Sequence, residues 1–271
     1  MSNLELAFLI TFLAGISTSF SSLIFLFYKN ISSKTLSIAL GFSAGAMLYL
    51  SFIGIFHKGL ENLENSFSHN NAIIITSFCF FIGMILMAII DKIFPEFHHF
   101  SIHSINDCDL KKEKCSHNSA LKRLGIFSAF AICIHNFPEG IATFFATLED
   151  PHLGISFAAA IAIHNIPEGI AISLPIYHAT KSKKKAFIAA TLAGLSEPLG
   201  ALIAYLFLGN LFIEIEYLMG ILFSLIAGIM VFIAIDELIP ASKDLSKNSH
   251  APIYSLMMGM IVMSLSLILL H

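Results

Sequence analysis

His135-Asn136-Phe137-Pro138-Glu139-Gly140-Ile141-Ala142 recurs as His164-Asn165-Ile166-Pro167-Glu168-Gly169-Ile170-Ala171, 29 residues further along the chain. Both copies of His-Asn-x-Pro-Glu-Gly-Ile-Ala lie inside apolar runs. There an imidazole, an amide, a carboxylate and a helix-breaking proline are each costly. The combination occurring twice asks for a chemical reason.

The surroundings decide the class. Of 271 residues, 56% are hydrophobic and 12% charged, against roughly 25% charged in an ordinary soluble domain. The mean hydropathy is +0.83, and apolar runs reach about 20 residues, the length a hydrocarbon core demands. The chain therefore reads as an all-α integral membrane protein, a single transmembrane domain over 1–271, since each backbone polar group in lipid must be satisfied within its own segment. The formal net charge of −3 is carried almost wholly by loops, and no basic stripe offers itself to nucleic acid. Four cysteines form no disulfide framework: Cys79 and Cys133 fall in apolar runs, while Cys108 and Cys115 lie in a loop expected to be cytoplasmic and reduced. The N-terminus lacks the charged start of a cleavable signal and runs straight into an apolar segment.

Eight spans can be read, at about 5–27, 36–57, 72–94, 122–147, 153–177, 186–208, 216–236 and 252–270. Small residues in the first two (Gly15, Ser17, Ser19; Gly41, Ser43, Gly45) read as close helix packing. Lysines and arginines collect in cytoplasmic loops. The loops after spans 1, 3, 5 and 7 hold 14 of the 15 basic residues, and the opposite side has Lys58 alone with Glu61, Glu64, Glu149, Asp150, Glu214 and Glu216. Both termini are thus expected outside.

The longest loop, about 95–121, carries His98, His99, His103, His117, Cys108, Cys115, Asp107 and Asp109. Such a tract could hold a soft or borderline metal loosely, though no spacing in it matches a defined zinc module. The plainer reading is a solvated polar linker on the cytoplasmic side.

Spans 4 and 5 are joined by a short turn at Glu149-Asp150-Pro151, so they run antiparallel and present the two motif copies in opposite directions. At about 100° per residue, with His135 at 0°, Asn136 lies near 100° and Glu139 near 40°. Each carboxylate projects between its own imidazole and amide, one turn on. Two such faces opposed make a site for one metal ion, or for two bridged by glutamates. Pro138 and Pro167 cannot donate to the carbonyls of Ile134 and Ile163, which predicts a kink beside each His-Asn pair. Gly140 and Gly169 allow a neighbouring helix to come close. Polar groups satisfying one another as interhelical glue are the plainer alternative, but intramembrane ionisable groups in matched pairs point to function.

Span 6 adds Gly194-Leu195-Ser196-Glu197-Pro198-Leu199-Gly200. Glu197 has no basic partner within any span and needs a metal, a proton or a wet path, while Ser196 offers an oxygen or a cap. Weaker candidates are Ser51, His57 and Met47 in span 2, Asp91, His178, and Asp236-Glu237 at the end of span 7. Packing or an interfacial position accounts for most of them. Imidazole, carboxylate and amide oxygens together suit borderline divalent ions such as zinc, iron, manganese or cobalt.

The doubled motif, Ser196-Glu197-Pro198 and Asp236-Glu237-Leu238-Ile239-Pro240 together resemble the ZIP family of divalent-metal transporters, most of all its bacterial ZupT-type branch. The resemblance implies import of zinc and other divalent ions into the cytoplasm through a binuclear centre. It assigns Glu139, His164 and Glu168, with His135, to a first metal position. Asn136, Glu139, Asn165, Glu168 and Glu197 go to a second, the two central glutamates bridging. One departure is Gly54, where that branch often has a glutamate. The expected cargo is zinc, with iron, manganese or cobalt, and no cofactor. The expected partners are the ions and the lipid bilayer of the cell (inner or plasma) membrane, with a homodimer as an option. The rival is an intramembrane zinc-dependent hydrolase, in which the metal activates water. It lacks a His-Glu-x-x-His pair, so no enzyme is expected.

Overall fold

Each apolar segment closes its backbone hydrogen bonds within itself, as a bilayer requires. The computed structural model describes residues 2–23, 33–93, 117–214, 216–246 and 250–270. Helix α1 spans Asn3–Phe20 and passes into a 3-10 turn at Ser21–Leu23. The second segment consists of α2 (Ser33–Tyr49), a π-helical turn (Leu50–Ile55) and α3 (Phe56–Glu64). Helix α4 covers His69–Ile93, and α5 (His117–Glu149) and α6 (Pro151–Thr180) carry the two motif copies. The sixth segment is split into α7 (Lys183–Gly194) and α8 (Ser196–Glu214). The seventh comprises α9 (Glu216–Ile233), a π-helical turn (Ala234–Leu238) and α10 (Ile239–Ser246), and α11 (Ala251–Leu270) follows.

Among the described residues, seven helical segments are long and apolar enough to cross a membrane: Asn3–Phe20, Lys34–Glu64, His69–Ile93, Pro151–Leu174, Lys183–Phe207, Tyr217–Ser246 and Ala251–Ile268. The segment read at 122–147 folds as the long helix α5 but is not one of the seven. Most of the loop read at 95–121, including Cys108 and Cys115, lies outside the described residues.

The motif prolines and the proline of the sixth segment differ in where they sit in their helices. Helices α5 and α6 run through Pro138 and Pro167 without interruption. The break falls instead at Leu195, three residues before Pro198, where the chain leaves α7 and starts α8. There Pro198 sits in the first turn of a helix, where its missing N–H leaves no bond unmade. A lone proline costs one hydrogen bond, and tight packing on both sides keeps α5 and α6 helical around that loss.

The turn between α5 and α6 has clear sequence causes. Asp150 takes an extended conformation and its side chain accepts from the His152 N–H at 2.9 Å, and Pro151 fills the first helical position. This fixes the antiparallel pair on which both motif copies ride. Asp150→Ala is expected to lower thermal stability by about 1 kcal/mol, measured by unfolding of the detergent-solubilised protein, with no ligand altered.

The helices pack in two groups. In one, α1, α5, α6, α7 and α8 lie against each other; in the other, α2, α3, α4, α9, α10 and α11 do. Helix α2 also packs on α6, and α9 on α5, joining the groups. All seven predicted site residues belong to the first group. Phe8, Phe144 and Tyr205 tie α1, α5 and α8 together, with ring centroids 4.6 Å apart for Phe8 and Phe144 and 5.9 Å for Phe144 and Tyr205. Helices α4 and α11 turn large apolar side chains outward, among them Ile74, Phe78, Ile85, Tyr254, Ile261 and Ile268. In water such faces would be a liability; in lipid they match their solvent.

Candidate metal centre

Helices α5 and α6 bring the two motif copies face to face. His135, Asn136, Glu139, His164, Asn165, Glu168 and, from α8, Glu197 are all between 0 and 1% exposed. Close approach is what makes this possible. A Cβ at Gly140 would run into the backbone of Glu197, and one at Gly169 into the Thr18 carbonyl and Ser21 hydroxyl. Glycine lets α8 lie directly on α5, and α1 directly on α6.

The copies pair reciprocally. His135 Nε2 stands 3.1 Å from Glu168 Oε2, and His164 Nε2 stands 3.3 Å from both carboxylate oxygens of Glu139. Each glutamate therefore reaches the histidine of the other copy rather than serving only its own helix. Among the described residues, no three His, Cys, Asp or Glu side chains are arranged as a ready ligand set, because the imidazoles and carboxylates are closed on one another in pairs.

Several polar atoms stay unsatisfied. Asn165 Nδ2 donates to the Ala14 carbonyl at 3.1 Å and to Glu197 Oε1 at 2.5 Å. This leaves Asn165 Oδ1 and Glu197 Oε2 buried without hydrogen-bond partners, as are His135 Nδ1 and both polar atoms of Asn136. Buried polar groups are nearly always bonded, so such a concentration is unusual. Three buried carboxylates gather here, and among the described residues no Lys or Arg pairs with any of them.

His164 is the most telling member. Its Nδ1 lies 3.2 Å from the Ala160 carbonyl. A neutral imidazole donating there turns its Nε2 lone pair toward the Glu139 carboxylate. Two acceptors 3.3 Å apart are stable only with a proton or a cation between them. Metal-binding histidines characteristically give their other ring N–H to a carbonyl or carboxylate in this way.

The family model described as "ZIP Zinc transporter" matches residues 4–267. The chain belongs to the ZIP zinc transporter family. It is 47% identical over 269 residues to "Zinc transporter ZupT" of Chlorobium chlorochromatii, covering 98% of each chain. It is 45% identical over 271 residues to the protein of that name in Oceanobacillus iheyensis, covering 100% of each. The Campylobacter jejuni relative of the same name is 46% identical over 287 residues, covering 98% of this chain and 96% of the relative. The ZIP chain is thus a multi-pass membrane protein of a transporter family, not an enzyme, and the hydrolase alternative is set aside on that ground.

Within this ZIP fold the weaker candidates separate. His57 is exposed and lies 3.6 Å from Glu61, away from the motif. Ser51 donates to the Met47 carbonyl at 2.7 Å, and Met47 is a fully buried core residue. Ser196 donates back to the Ala193 carbonyl at 2.6 Å, bridging the α7–α8 break. Asp91 lies near the end of α4. The side chain of His178 is outside the described residues. Asp236 and Glu237 lie in the π-helical turn Ala234–Leu238.

Two contributors escaped the sequence. The Ala14 carbonyl is a backbone group and carries no signature. Ser43 read as a small packing residue, yet its hydroxyl donates to Glu168 Oε1 at 2.9 Å from a helix 125 residues away.

Proposed function

We propose that this chain imports zinc into the cytoplasm, with iron, manganese and cobalt as further cargo, through a binuclear site between spans 4, 5 and 6. His135, Asn136, Glu139, His164, Asn165, Glu168 and Glu197 are its ligands, with Glu139 and Glu168 bridging. The observation that carries the reading is the facing of His164 Nε2 and the Glu139 carboxylate at 3.3 Å, with His164 Nδ1 beside a carbonyl. The free oxygens of Asn165 and Glu197 support the second position. An uncompensated buried charge is strongly destabilising, and two divalent ions nearly cancel three buried carboxylates.

The topology belongs to the same proposal. Eight spans with both termini outside put 14 of the 15 basic residues in the cytoplasm, in the cell (inner or plasma) membrane. The chain forms one domain, with the His-bearing loop at about 95–121 on the cytoplasmic face. The acidic outer loops draw cations in, and alternating access is the mechanism natural to such a carrier. Ligands deprotonate to bind metal, so the glutamates exchange protons as ions leave.

Uptake of radiolabelled zinc into proteoliposomes containing the wild-type protein tests the function, with unlabelled zinc, iron, manganese and cobalt as competitors. Saturable uptake is expected, zinc competing best and the other three measurably. Zinc binding without any flux would overturn the transporter reading.

A further inference from the structure

We infer that Ser43 is a positioning residue for the transported ion: its hydroxyl sets the orientation of the Glu168 carboxylate from α2, outside the helix group that carries the motif. The inference rests on the metal site proposed above.

Ser43 is fully buried, and its Oγ donates to Glu168 Oε1 at 2.9 Å. It also lies 3.4 Å from the His164 carbonyl, one turn earlier on the same helix. The other Glu168 oxygen faces His135 Nε2 at 3.1 Å. Each oxygen of this carboxylate is therefore engaged, one by each helix group, and its plane is fixed. Without the hydroxyl, the His135 contact alone is left to hold the final torsion of Glu168, which is intrinsically broad and two-fold.

Two observations separate this role from packing. First, the small residues flanking Ser43 face elsewhere. A Cβ at Gly41 would meet the Pro252 carbonyl and Ser255 Oγ, and one at Gly45 the backbone of Leu256, all on α11. Ser43, two residues from each, lies on the side of α2 turned toward α6 and is not needed for that contact. Second, buried helical hydroxyls in this chain commonly bond back to their own helix, as Thr11 does to Ala7, Ser51 to Met47 and Ser173 to Gly169. Ser43 instead commits its single proton to a carboxylate on another helix. That is the chemistry of a group orienting a ligand oxygen. Loss of such an outer partner typically weakens metal affinity by about 10–100-fold.

The test compares zinc uptake by wild type, Ser43→Ala, Ser43→Thr and Glu139→Ala in proteoliposomes, with thermal unfolding of each in detergent. Ser43→Ala is expected to raise the KM for zinc about tenfold or more, to change the maximal rate far less, and to shift the zinc-to-manganese competition ratio. Ser43→Thr, which keeps the hydroxyl, restores KM and the ratio toward wild type. An unchanged KM and ratio in Ser43→Ala would overturn the inference. So would a fall in maximal rate that tracks lost thermal stability, which is the mark of a packing role. If Glu139→Ala still transports as wild type does, the metal-site reading fails and this inference falls with it. If Glu139→Ala is inactive and Ser43→Ala normal, only the inference about Ser43 fails.

Discussion

Glu139→Ala is expected to reduce zinc uptake by roughly 100-fold or more while the protein still assembles in detergent. A loss of about 2.8 kcal/mol of ion binding corresponds to a 100-fold change in affinity, a scale within reach when a charged ligand is removed from a buried site. Glu139 stands 3.3 Å from His164 Nε2 with both of its oxygens. Under the binuclear proposal it serves both ions, so its loss strips a ligand from each. Glu168→Ala removes the other bridging group and is expected to match it, while Glu197→Ala touches one position and costs less. Calorimetric titration of the purified protein with zinc checks this, with two binding events in the wild type and a weakened or missing event in each variant. Wild-type uptake and stoichiometry in Glu139→Ala would contradict the assignment.

The second large effect involves a residue with no side chain. In Gly140→Ala, the new methyl group meets the Glu197 backbone, which has no flexible end to swing away. Overpacking of this kind costs about 1–3 kcal/mol. Here it also pushes α8 off α5, carrying Glu197 away from Glu139. Thermal stability and uptake per folded molecule are both expected to fall, although every proposed ligand is intact. Gly54→Ala provides the comparison, since its nearest neighbour is the movable end of Leu50 at 3.0 Å. That variant is expected to change stability by less than about 1 kcal/mol. Equal behaviour of the two would remove close approach at Gly140 as the reason Glu197 reaches the centre.

The likeness of the two motif copies and their apolar setting were legible because they are properties of composition and spacing. The antiparallel hairpin followed from Glu149-Asp150-Pro151, where an N-cap and a first-turn proline act locally. What stayed illegible was the pairing. Helix angles place Glu139 between its own His135 and Asn136, but the fold sends it to His164 and sends Glu168 to His135. Which copy a carboxylate reaches depends on how far α5 slides along α6, and neither helix encodes that alone. Ser43 was hidden for a related reason. A serine in an apolar helix carries the same letter whether it bonds to its own backbone or to a glutamate on another span. Pro138 and Pro167 leave their helices continuous, since one absent N–H does not by itself end a helix. The interruption at Leu195 and the π-helical turns at Leu50–Ile55 and Ala234–Leu238 arise where segments accommodate their neighbours.

The most direct test of the central claim is anomalous X-ray scattering at the zinc edge from crystals of the full chain grown with zinc. The account predicts two adjacent peaks enclosed by α5, α6 and α8, one beside His164 and Glu139 and one beside Asn165 and Glu197. Zinc confined to the carboxylates around Glu61 and Glu149, with no peak between the two motif copies, would contradict it.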